Sequence, residues 1–148
     1  MGKTGKKRGR DPQKIGSVVP KSIKAGFRLD DSLFKWTLKY CIWQHEGWDI
    51  SVPKLADIVS TLQNLESRKW GEIKADSGGK AEGHGTNSHF ISIAKLPKAE
   101  AREYLKLGYR DKYDKVFSLR LSSLERLIGV VDMNVFRILW FDPKHEFF

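Results

Sequence analysis

Between Leu33 and Trp43 the chain alternates. Phe34, Trp36, Leu38, Tyr40 and Ile42 fall on one side, and Lys35, Thr37, Lys39, Cys41 and Trp43 on the other. Period two with aromatic and β-branched residues predicts a single strand with one buried face. Gln44–Asp49 reads as a loop. The period changes after Ser51, whose hydroxyl suits an N-cap, while Pro53 sits in a first turn where a missing N–H costs nothing. Leu55, Ile58, Val59, Leu62 and Leu65 then recur at 3.6-residue spacing, which predicts a helix over Pro53–Arg68. Trp70-Gly71-Glu72-Ile73 follows it.

Ala75–Ser88 is polar and glycine-rich and reads as a loop. His89–Ala94 suits a short strand. Pro97 opens a second predicted helix, with Ala101, Tyr104 and Leu105 on its inner face and Gly108 as C-cap. Three strands are expected after it. Val116–Leu121 alternates, with Phe117, Leu119 and Leu121 opposite Ser118 and Arg120. Arg126–Val131 comes next. Val135–Phe141 is nearly all apolar, as a central strand would be. Asp132-Met133-Asn134 makes the turn between the last two, because asparagine tolerates the left-handed region. A tight turn makes its flanking strands antiparallel. The expected architecture is α+β: one domain over residues 25–148, with an antiparallel sheet of four or five strands and helices packed on one face.

Charge changes this picture at one end only. The chain carries +9 overall. Residues 1–24 hold eight basic residues and one acid, which leaves the other 124 residues near +2. This segment lacks apolar periodicity and reads as a disordered basic tail. Its Lys3, Lys6, Lys7, Arg8 and Arg10 are candidates for phosphate contact without sequence readout. The 40% hydrophobic and 11% aromatic content belongs to a globular domain. Cys41 is the only cysteine, so no intrachain disulfide and no cysteine-based zinc site is expected, and a reducing, cytoplasmic setting follows. No apolar run approaches the ~20 residues of a membrane span, and no apolar segment follows the basic N-terminus as in a secretory signal.

The candidate chemistry lies in the second half. Arg120, Arg126 and Arg137 fall in or at the start of C-terminal strands. Guanidinium groups suit phosphate and can stabilise charge developing at phosphorus. Arg137 sits among Phe136, Ile138, Leu139 and Trp140, where a charge needs a partner or a ligand. The plain alternative pairs each arginine with a carboxylate such as Glu125, Asp132 or Glu146. RNA cleavage needs a base for the 2′-hydroxyl and an acid for the leaving oxygen, and His89 and His145 lead His84 and His45 as candidates. Trp70 is a candidate to stack on a base, though a tryptophan there more often closes the core under a helix end. There is no phosphate-cradling loop, dinucleotide fingerprint, HExxH motif, nucleophile elbow or zinc-finger spacing. No cofactor and no metal is expected.

Several runs together resemble a family of small bacterial and prophage proteins. These are Ser67-Arg68-Lys69-Trp70-Gly71-Glu72-Ile73, His89-Phe90, Lys98-Ala99-Glu100-Ala101, Phe117-Ser118-Leu119-Arg120-Leu121, Arg126-Leu127-Ile128-Gly129, and the ending Phe136 to Glu146. Their order of elements is similar to the RelE/ParE toxin superfamily. The resemblance covers residues 33–148. It implies the toxin of a toxin–antitoxin pair, a metal-independent endoribonuclease with RNA or the ribosome as target and an antitoxin protein as partner. It would give Arg120, Arg126 and Arg137 the role of gripping RNA and assisting cleavage. Two other readings stand beside it: a nucleic-acid-binding module without catalysis, and a phage-encoded inhibitor that occupies a host nucleic-acid site.

Overall fold

A computed structural model describes residues 17–18, 26–76, 87–96, 99, 102 and 113–146. The basic residues Lys3 to Arg10, the loop histidine His84 and nearly all of the second predicted helix lie outside these residues.

The strands are β1 (Ser17–Val18), β2 (Lys35–Thr37), β3 (His89–Ser92), β4 (Lys115–Arg120), β5 (Arg126–Asp132) and β6 (Val135–Asp142). The helices are α1 (Val52–Leu65) and α2 (Trp70–Ala75). The sheet runs β2-β6-β5-β4-β3, and β1 pairs with β5 off this path. The α+β class is therefore as expected, but the sheet is mixed. β3 to β6 form an antiparallel meander, whereas β2 lies parallel to β6 and β1 parallel to β5. Ser17–Val18 meets Val131–Asp132, just beyond the Gly129 position where the β4 pairing ends. These two residues of the basic tail thus belong to the sheet.

The long strand expected over Leu33–Trp43 is a correction. Only Lys35–Thr37 is extended in the sheet. Phe34 is buried in the core on the helix-covered face, with Trp36 and Leu38 packed against it, whereas Tyr40 and Ile42 pack on the opposite face. The chain crosses from one face of the sheet to the other around its β2 edge. The Cys41 amide donates to the Leu38 carbonyl (3.1 Å), and Ile42 N–H then finds Leu139 O on β6 (2.8 Å). One period-two pattern therefore serves two separate cores.

Helix α1 forms as its pattern predicts, three residues shorter at its end. The Ser51 hydroxyl accepts from Lys54 N–H (3.2 Å), and Ile58 and Leu62 are buried. A closing turn carries Arg68 N–H to Leu65 O (3.0 Å). Antiparallel contacts stitch the link into α2 to the chain before β2: Phe34 N–H to Arg68 O and Trp70 N–H to Ser32 O, both 2.9 Å. Trp70 is fully buried between Phe34 (4.9 Å) and Phe117 (5.1 Å), and its indole N–H donates to Asn134 O. Trp70 is a core residue, and the base-stacking role considered for it is overturned by its burial.

Both faces of the meander are covered. One core joins Phe34, Ile58, Leu62, Trp70, Phe117, Leu127 and Phe136 under the helices. The second, on the far face, joins Leu96, Tyr113, Val116, Ile128, Val130, Leu139 and Trp140. A bulge separates two registers along β6: Ile128 faces Trp140, yet Gly129 faces Ile138. Leu139 is the extra residue, so Leu139 and Trp140 both point to the far face and the alternation changes parity. The turn after β5 also differs in detail from the expectation. Met133, not Asn134, is left-handed (φ 59°). Asn134 instead bonds outward: its Nδ2 donates to Leu33 O (2.9 Å), and its carbonyl accepts from Trp70 and Lys35. No helix among the described residues is long and apolar enough to cross a membrane.

Candidate functional site

The end of the meander where β3 begins and β6 finishes gathers charged groups on the far face. Cross-strand register sets this up: His89 faces Ser118, Arg120 faces Arg126, and Arg126 faces Asp142. Directly paired residues project to the same side. Ser118 and Arg120 share a side of β4 because they are two residues apart, and the β6 bulge turns Asp142 to that side as well. His145 follows three residues later, left-handed at φ 58°. Its turn is fixed by Glu146 N–H donating to Asp142 Oδ1 (3.0 Å).

Arg126 lies at the bottom of this cluster, fully buried. Its Nη1 donates to the carbonyls of Ser122 (2.7 Å), Ser123 (3.4 Å) and Glu125 (3.0 Å), closing the β4–β5 loop. Asp142, also buried, supplies the opposing charge. Burial pushes the Arg126 guanidinium below its ordinary value, the neighbouring Arg120 adds to this, and Asp142 opposes both. Arg120 is only half-buried. Its amide N–H donates to the Ser88 hydroxyl (2.8 Å), while its Nε is enclosed with no hydrogen-bond partner among the described residues. The Ser118 hydroxyl is likewise buried and unpartnered among them. Two guanidinium groups against one carboxylate leave the cluster positive, which favours an anion.

The two histidines are set differently. His89 Nδ1 lies 2.7 Å from Asn87 O. A carbonyl can only accept, so Nδ1 carries a hydrogen. For His145, burial is the main cause of a lowered pKa; Arg126 and His89 push the same way and Asp142 opposes them. A depressed histidine binds its proton more weakly when folded than when unfolded, so stability falls as pH drops below about 6.5 and levels out below the folded value. The carboxylate shift at Asp76, held low chiefly by its hydrogen bond to Arg68, acts at more acidic pH. We expect His145→Gln to flatten the stability profile below about pH 6.5. Urea midpoints measured across that range test this, and an unchanged slope would remove His145 as its source.

The structure brings four of the five strand and histidine candidates together: Arg120, Arg126, His89 and His145. It excludes Arg137. That residue also faces the far side, but further up β6. Its Nη2 donates to Asp132 Oδ2 (2.6 Å) and its guanidinium stacks 4.4 Å from the Tyr40 ring centroid. The partner that its apolar surroundings demanded is thus a carboxylate and an aromatic face. His45 is structural as well. Its Nδ1 accepts from Gly47 N–H (2.9 Å), and its ring stacks on Trp140 at 4.8 Å. Burial pushes the Cys41 thiol up to about 12, so it stays protonated and unreactive near neutral pH.

Sequence reasoning pointed to the ending Asp142 to Glu146 without giving Asp142 a role, and it did not single out Ser118. Strict alternation from Arg137 puts Asp142 on the opposite side, and only the bulge reverses this. Alternation placed Ser118 beside Arg120, on the face opposite Phe117, and gave no sign that its hydroxyl is buried. Among the described residues no three His, Cys, Asp or Glu side chains stand close enough to hold a metal ion. Comparisons with known protein families, with curated proteins and with solved structures find no match for this chain.

Proposed function

We propose that this chain binds RNA at the Arg120–Arg126–His89–His145 cluster and cleaves its phosphodiester bonds, as the toxin of a toxin–antitoxin pair. The convergence of two arginines and two histidines on one end of the meander carries the chemical part. The toxin role and the RelE/ParE-like reading of the fold rest on the resemblance of the meander sequence. In this mechanism Arg120 holds a phosphate, and Arg126 adds positive potential from beneath. His145, disposed to be neutral, takes the proton of the 2′-hydroxyl. His89 gives a proton from Nε2 to the leaving 5′-oxygen. Its Nδ1–H bond to Asn87 O orients the ring for this donation. The 2′-oxygen forms a bond to phosphorus as the bond to the 5′-oxygen breaks. The products are a cyclic phosphate and a 5′-hydroxyl, with no change of oxidation state.

Purified protein is expected to cut single-stranded RNA in EDTA. Arg120→Ala should slow cleavage about 10²–10³-fold by removing charge stabilisation in the transition state. Arg137→Ala, distant from the cluster, should leave the rate unchanged. The rate should rise through an acidic limb set by His145, below the ordinary histidine range, and His89→Ala should slow cleavage by removing the proton donor. Intact RNA with salt-sensitive binding would instead select the module that binds nucleic acid without cutting it. One observation favours that second reading: Arg126 already spends Nη1 on three backbone carbonyls.

A further inference from the structure

Ser118 is a polar residue in an apolar place. It lies in the middle of β4 on the far face, with no exposed surface. Val116 precedes it on that side of the strand, and Ile128 and Trp140 continue its row across β5 and β6. All three belong to the second core. A hydroxyl enclosed among such groups has given up its water and needs another partner. The described residues give it none.

Its remaining neighbours are hydrogen-bond donors. Arg120 stands two residues along the same strand, roughly 7 Å away by backbone spacing. His89 is directly opposite on β3. Arg126 is the diagonal neighbour on β5, two residues before Ile128 and roughly 7–8 Å off. The Asp142 carboxylate lies one strand further, beyond Arg126. Arg120 Nε is enclosed as well, and no described group accepts its hydrogen. Two unused donors, Ser118 Oγ–H and Arg120 Nε–H, therefore share one side of β4 beside a second guanidinium. A water molecule could accept from both, yet it would leave the excess positive charge of the cluster standing. A phosphate group supplies both the acceptor oxygens and the negative charge. His89, Arg120 and His145 are half-buried around this floor, so the cluster meets solvent through side chains.

We propose that Ser118 Oγ–H and Arg120 Nε–H together hold one phosphate group at the floor of the cluster, which makes Ser118 a phosphate-binding residue. The role of that phosphate in RNA cleavage rests on the reading above, but its binding is measured by itself. Inorganic phosphate is titrated into the full chain by calorimetry. Wild type should bind it, and Ser118→Ala should bind it about tenfold or more weakly, the usual loss for one hydrogen bond to a charged group. Without phosphate, Ser118→Ala should unfold in urea no earlier than wild type, because it removes a hydroxyl that the free chain leaves unpaired. Added phosphate should then raise the wild-type midpoint more than that of the variant. Arg120→Ala should lose phosphate binding, whereas Arg137→Ala, outside the cluster, should keep it. Phosphate binding by Ser118→Ala equal to wild type overturns the proposal, and so does a wild type that binds none. An early urea midpoint for Ser118→Ala with phosphate binding unchanged assigns the hydroxyl to the fold alone and overturns it too. Phosphate held through Ser118 while RNA stays intact keeps the site and rejects the nuclease.

Discussion

Replacing Gly129 with alanine is expected to destabilise the domain by about 3 kcal/mol or more, the upper range for overpacking a close-fitted core. An added Cβ would stand 2.1 Å from the Arg137 carbonyl oxygen and 2.8 Å from a Phe136 ring carbon. The first obstacle is backbone, so no rotamer change relieves it. The site lies at the β5–β6 bulge, between the two central strands, where any shift moves both cores. Urea unfolding followed by tryptophan fluorescence should show a markedly lower midpoint with a similar slope. A midpoint within about 0.5 kcal/mol of wild type, the range of ordinary surface changes, would mean that the strands separate easily there. Gly47→Ala meets a comparable obstacle, Phe141 O at 1.7 Å from the added carbon.

The second large effect is expected at Arg126. Arg126→Ala removes a buried guanidinium that faces the buried Asp142 carboxylate across the strands and is attracted to it. Breaking such a pair costs about 3–5 kcal/mol, and the carbonyls of Ser122, Ser123 and Glu125 lose a shared donor as well. A double replacement, Arg126→Met with Asp142→Leu, should recover much of the loss, because two well-packed apolar side chains need no counter-charge. Chemical denaturation of the two single variants and the double variant gives the coupling directly. If the single losses simply add, the two groups do not stabilise each other and the cluster has been misread. The comparison also matters for function. An inactive Arg126 variant says little about catalysis if it is unfolded, so Arg120, half-buried and at a strand end, is the informative position.

Most elements were legible in the sequence, and the failures have physical causes. Helix α1 declared itself because cap, proline and apolar stripe agreed. The meander declared itself through alternation and a turn. The β2 region misled because edge residues from Phe34 to Ile42 keep period two while the chain changes faces, so the pattern reported burial and not a continuous strand. The mixed character of the sheet had no local signal at all. Parallel pairing of β2 with β6 depends on where the ends of distant segments meet. Within the candidate site, Arg120, Arg126, His89 and His145 could be named from residue type alone. Which of them assemble could not. Arg137 looked the hardest to explain, and it proved paired with Asp132 and Tyr40. Asp142 closes β6, and it lies in the cluster because one extra residue at Leu139 reverses the parity of that strand.

The pairing of Lys35 with Val135 joins positions a hundred residues apart. The β4–β5 and β5–β6 hairpins close over a few residues, whereas this contact must bear the entropy of a long loop before it returns any stabilisation. The β2 edge is therefore placed to assemble late, onto a meander already formed. Until then the apolar edge of β6 stands open, and on the nascent chain its protection falls to whatever else can lie along it.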